Sequence, residues 1–185
     1  MRKKVFIVGI CLVLVILLIL TFIIQSQKDI TVAENINTME AAERIESEFG
    51  ISLEANEHGG FDWRYIDAAN EVRTNNTYYI DLDSDENGML DFFEATISYG
   101  RLQEKEGFYD EAEDFLLSVI PTIFKNEDNV AYVENFVKKN LPDYDDDEIY
   151  DIHEEAIVSN YKVELWITKS GDYYSRYALN VIKNV

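Results

Sequence analysis

Between residues 83 and 94 the chain reads DSDENGMLDFFE. Oxygen-bearing side chains stand at alternate places, Asp83, Asp85 and Asn87, followed by Gly88 and then Asp91 and Glu94. Carboxylates crowded into so short a stretch repel one another unless a cation lies among them. A hard divalent cation such as Ca2+ collects six to eight oxygens at about 2.3 to 2.6 Å, and alternate residues of a tight loop can turn their oxygens to one centre. Gly88 permits the backbone a sharp turn. Met89 need give only its carbonyl, and Leu90 can anchor the loop to a core. Glu94 can reach back with both oxygens.

Numbered from Asp83, the stretch resembles the calcium-binding loop of EF-hand proteins at positions 1, 3, 5, 6, 8, 9 and 12. The preceding NTYYIDL is too short and too β-prone for an incoming helix, so the likeness is to the loop-then-helix form of bacterial extracellular calcium-binding proteins. It is confined to residues 83–94. The resemblance implies Ca2+ as cofactor, held by Asp83, Asp85, Asn87, the Met89 carbonyl, Asp91 and Glu94, with a helix leaving from near Asp91. It also implies the weak affinity usual outside cells, on the order of 10⁻⁴ to 10⁻³ M, and a structural ion.

Two other stretches fit the same template less well. In EANEHGGFDWRY, residues 54–65, Glu54, Asn56, His58, Gly59, Phe61 and Asp62 fall in place, but Tyr65 stands where a bidentate carboxylate belongs. A Gly-Gly turn before a helix is the favoured reading. The alternative is a degenerate partner loop that pairs Phe61 with Leu90. In DYDDDEIYDIHE, residues 143–154, Asp143, Asp145, Asp147, Asp151 and Glu154 are well spaced, but Glu148 replaces the glycine. After Pro142 such acids read as a helix N-terminus, with Ile149, Ile152 and Ala156 facing the core.

Catalytic motifs are absent. His58 and His153 are the sole histidines, IHEEAI lacks the second histidine of a zinc-protease pair, and no phosphate loop or G-x-S-x-G elbow occurs. We therefore expect a non-enzymatic binding or accessory module. The alternatives are a cell-surface hydrolase with a structural calcium and an acidic interaction protein that recruits a basic partner without metal. A net charge of −20 over 185 residues repels phosphate backbones, so nucleic acid is not an expected partner. With 47% hydrophobic residues the chain can still build a packed core. Cys11 is the lone cysteine, so no intrachain disulfide can form.

The elements around the loop follow from periodicity. After the basic end at 1–4, residues 5–24 carry no charge and suffice for a helix of about 30 Å, the thickness of a bilayer core. With Arg2, Lys3 and Lys4 before it, a single-pass topology follows, N-terminus cytoplasmic and the remainder outside the cell membrane. Residues 25–37 read as a stalk and 38–185 as an acidic calcium-binding domain. In that domain TMEAAERIESEF predicts a helix capped by Thr38, with Met39, Ala42, Ile45 and Phe49 inward and Gly50 as its stop. FDWRYIDAANEV and FFEATISYG predict further helices. YDEAEDFLLSVIPTIF predicts one that Pro121 kinks or breaks, and NVAYVENFVKKN another with two lysines in its last turn. YKVELWIT and YYSRYALNVI, alternating with period two about a KSGD turn, predict a C-terminal antiparallel hairpin. Tyr173, Tyr174 and Tyr177 are placed in or beside the core. The expected fold class is α+β, a mainly helical domain with an EF-hand-like loop and one β-hairpin.

Overall fold

The computed structural model describes residues 31–66, 77–98, 108–142, 151–170 and 173–184. Residues 32–185 form one compact unit. It is not mainly helical. Seven antiparallel strands make one sheet, with 42% strand among the described residues, and three helices accompany it. In chain order these are α1 (Thr38–Phe49), β1 (Glu54–Ala55), β2 (Phe61–Ile66), β3 (Thr77–Ser84), β4 (Leu90–Ser98), α2 (Phe108–Ile123), α3 (Glu127–Asn140), β5 (Ile152–Val158), β6 (Tyr161–Ser170) and β7 (Tyr173–Lys183). The sheet order is β1-β2-β3-β4-β7-β6-β5, so the N-terminal and C-terminal halves join at β4 and β7.

The helices pack on one face, where Ile80, Leu82, Phe93, Leu165, Leu179 and their neighbours are buried. Strand side chains alternate between faces, so the polar residues between these project on the opposite, outer face. The outer face carries the site described below.

Several sequence expectations are corrected. The helix foreseen over FDWRYIDAANEV is strand β2 as far as Ile66, and residues beyond it to 76 lie outside the described residues. FFEATIS is strand β4, so no helix leaves the acidic loop near Asp91. β-branched and aromatic residues on a half-buried surface favour strand, and pairing along two sides, to β3 and β7, fixes it. Ile152 and Ala156 belong to strand β5 rather than to a helix, and 143–150 lie outside the described residues. The single-pass membrane topology is likewise not upheld. No helix among the described residues is long and apolar enough to cross a membrane, and residues 5–24 lie outside them.

Local chemistry refines the rest. Asn37, not Thr38, caps α1, accepting from the Glu40 amide, and Thr38 is buried. Met39 is exposed at 54%, while Ala41, Ala42 and Ile45 face inward. Helix α1 ends at Gly50 in the left-handed conformation, φ 63°. Helix α2 runs unbroken through Pro121, two residues before its end. Its terminal carbonyls are not orphaned there: the Arg44 guanidinium donates to Thr122 O at 2.7 Å and Ile123 O at 3.0 Å. The last residues of the expected stalk are bound to the domain. Asn129 brackets Val32 through both its side-chain oxygen and nitrogen, and the Ile36 amide donates to Tyr161 Oη. The C-terminal hairpin forms as expected, with Tyr161, Val163, Leu165 and Ile167 buried.

Candidate metal centre on the outer sheet face

The acidic stretch 83–94 is a β-hairpin. The Asp85 carbonyl accepts from the Gly88 amide at 3.0 Å, and the Asp85 amide donates to Met89 O at 2.8 Å. Asp85 Oδ1 accepts from the amides of Asn87 at 2.8 Å and Met89 at 2.9 Å. Gly88, φ 74°, supplies the left-handed residue. Aspartate at the first place of a β-turn and glycine at the fourth are what such a turn selects, so turn chemistry also accounts for the order Asp-Glu-Asn-Gly. The register slips between Asp83 and Ser84, which sets Asp83 opposite Phe92 and Ser84 opposite Leu90. The hairpin end docks on the start of α1 and the chain just before it, through Thr38 N to Gly88 O and Leu90 N to Ile36 O.

Three of its acids, Asp83, Asp85 and Glu94, have separate protein partners. Asp83 Oδ1 accepts from Asn56 Nδ2 at 3.0 Å. Asp85 Oδ2 pairs with Lys183 Nζ at 2.5 Å. That hydrogen bond, helped by the Met89 amide, lowers the Asp85 carboxyl to about 2. Glu94 Oε1 accepts from Arg176 and Thr96, each at 2.6 Å. Asn87 and Asp91 are exposed, and the Met89 carbonyl is engaged by the Asp85 amide.

The 54–65 stretch meets this hairpin through an amide. Asn56 Oδ1 accepts from the His58 and Gly60 amides, and its Nδ2 donates to Asp81 and Asp83. Phe61 pairs with Leu82, not with Leu90.

Register gathers the carboxylates of the whole outer face into a row. Asp62 lies opposite Asp81, Asp81 opposite Glu94, Glu94 opposite Asn180, Asn180 opposite Glu164, and Glu164 opposite Glu155. Burial first, then Asp83 nearby, raises the Asp81 carboxyl. Burial and the same Asp81 push the Tyr79 hydroxyl up to about 12.

At the β5 end of this row an imidazole joins two carboxylates. One ligand atom each from His153, Glu155 and Glu164 lies within 4.8 Å of the others, a grouping that could hold a metal ion. Among the described residues it is the one set of three or more such groups that converges in this way. His153 Nε2 is 3.4 Å from Glu155 Oε1 and 4.0 Å from Glu164 Oε1.

Each residue has a reason to be there. His153 and Glu155 are two apart on β5 and share a face, while Glu164 lies opposite Glu155 on β6. Like charges directly opposite destabilise a sheet, and here the Lys162 ammonium offsets them, 2.5 Å from Glu164 Oε1 and 3.8 Å from Glu155 Oε1. Burial works to raise the Glu164 carboxyl, but hydrogen bonds from Lys162 and from Trp166 Nε1, the latter at 3.0 Å, prevail and hold it low. Trp166, opposite His153, stacks on the imidazole.

The sequence reading passed over Glu155 and Glu164. Only part of the signal is local: read as a strand, IHEEAIV places His153 and Glu155, two apart, on one face, although the run itself does not alternate. The outer residues of β6, Lys162, Glu164 and Trp166, were already separable from the inner ones by alternation. No family model, no known characterised protein and no solved structure matches the chain.

Proposed function

We propose that the protein is a non-enzymatic binding module that takes up a divalent metal ion through His153, Glu155 and Glu164. The observation that carries this reading is the convergence of one imidazole nitrogen and two carboxylate oxygens within 4.8 Å on two strands in fixed register. Imidazole with carboxylate suits a borderline ion such as Zn2+, with water completing the coordination, whereas Ca2+ prefers oxygen alone. The ion takes over from Lys162 the task of neutralising Glu155 against Glu164. Trp166 holds the imidazole flat and donates to Glu164, the kind of outer support on which metal ligands depend.

Calorimetric titration of Zn2+ into the chelator-stripped protein tests this, beside His153→Ala and Glu164→Gln. One saturable equivalent, lost in both variants, supports the centre. Equal heat in all three proteins contradicts it.

A second reading, Ca2+ bound by the 83–94 hairpin, has its own support. Gly88 adopts the left-handed conformation, and Asp85 is already folded into the turn. For Ca2+ to be ligated there, the contacts of Asp83 with Asn56, Asp85 with Lys183 and Glu94 with Arg176 must open. A Ca2+ titration with Glu94→Gln as control separates the two sites.

A further inference from the structure

Strand β5 ends the sheet, and among the described residues no strand pairs with its far side. It joins β6 through the two residues Ser159 and Asn160. A two-residue hairpin closes on a hydrogen-bonded pair, here Val158 with Tyr161, and antiparallel pairs then alternate in kind. The backbone amides and carbonyls of Ile152, Glu154, Ala156 and Val158 therefore face β6. Those of His153, Glu155 and Ile157 face outward, a template for one more strand.

Natural edges are commonly blunted by lysine, proline, a bulge or an inward-pointing charge. The run IHEEAIV has no lysine, proline or bulge, its register with β6 is unbroken, and its one charge on the core side is Glu154, opposite Leu165. It presents instead two exposed acids, Glu154 and Glu155, and an exposed Ile157 at 52%. We propose that this edge takes up an extended, lysine- or arginine-bearing segment of another protein as an eighth strand. Charge selects the occupant. A second copy of this chain brings a net charge of −20 to meet the same charge, and antiparallel self-pairing centred on β5 sets Glu155 opposite its own equivalent. A basic segment instead places cations on the side of Glu154 or on that of Glu155, which point to opposite faces, while its backbone completes the open ladder.

The probe is a synthetic Lys-Val-Lys-Val-Lys-Val-Lys peptide added to the full chain, with Glu-Val-Glu-Val-Glu-Val-Glu as control, followed by amide hydrogen exchange. The expected result is slowed exchange at His153, Glu155 and Ile157 with the basic peptide alone, weakened by salt. Ile157→Pro removes an outward amide and should abolish that protection. Should it fail to fold, Glu154→Lys, an exposed position outside the metal group, should reduce the protection at least several-fold. Protection by both peptides alike, or by neither, overturns the proposal and leaves the acids as guards of the edge.

Discussion

The imidazole of His153 and the indole of Trp166 lie against each other, ring centroids 3.5 Å apart and planes 16° from parallel. Two strands hold them in register, and the same indole donates to Glu164 through Nε1. One side chain thus positions both an imidazole and a carboxylate. Trp166→Ala should weaken Zn2+ binding about tenfold, the scale on which outer partners of metal ligands act, with the sheet retained. Calorimetry beside far-ultraviolet circular dichroism measures both.

Lys162 and a metal ion compete for the same two carboxylates. Lys162→Met leaves Glu155 opposite Glu164 with no ammonium between them. We expect a lower Tm in chelator, and a larger rise of Tm with Zn2+ than the wild type shows, since binding to the folded state alone stabilises it. Thermal melts with and without the ion decide this. A variant as stable as wild type in chelator would mean that the repulsion is negligible.

Acid sensitivity should appear at the hairpin. Asp85 is lowered to about 2, chiefly by Lys183. A carboxyl lowered on folding contributes stability that is present above its unfolded value, about 3.9, and that is lost as pH falls through the folded value. Asp85→Asn should therefore be less stable than wild type at neutral pH, with the gap closing between about pH 4 and pH 2. Urea unfolding at stepped pH measures the gap.

Two glycines should respond differently to alanine. A Cβ at Gly60 would lie 1.7 Å from the Leu82 carbonyl oxygen, which is backbone and cannot swing aside. Gly60→Ala should cost about 3 kcal/mol, the upper end of ordinary overpacking. Gly88 has open space around it and only its φ of 74° at stake, so Gly88→Ala should cost about 1 to 2 kcal/mol. Denaturant melts of both variants test the order.

Arg44 ties α1 to the C-terminal end of α2 by two hydrogen bonds to carbonyls. Arg44→Met keeps much of the stem but leaves those carbonyls without their donor, at a cost of about 1 to 3 kcal/mol. Chemical denaturation gives the value.

What the sequence disclosed follows from how local each signal is. Asn129 to Asn140 was legible as a helix because its spacing and its terminal lysines agree, whereas the Asn126 cap emerged only in the structure. The β6–β7 hairpin was legible because one buried face makes alternation plain. The helical reading failed where both faces of a strand carry large residues, as in Leu90 to Ser98, whose apolar run fits either period. It failed again at Ile152 to Val158, where Glu154 and Glu155 fall on opposite faces and break the alternation. The turn at Asp85 to Gly88 satisfies two templates at once, since a tight turn and a calcium loop both ask for aspartate, asparagine and glycine. The His153, Glu155 and Glu164 grouping depends on pairing between β5 and β6, which no spacing within one segment reveals.

With only two histidines in the chain, the metal centre can be watched directly by nitrogen NMR of the imidazole rings during addition of Zn2+. The account expects the His153 ring nitrogens to shift and to saturate at one equivalent, while Glu164→Gln abolishes the shift. Rings that stay unmoved, or a shift confined to His58, would contradict it.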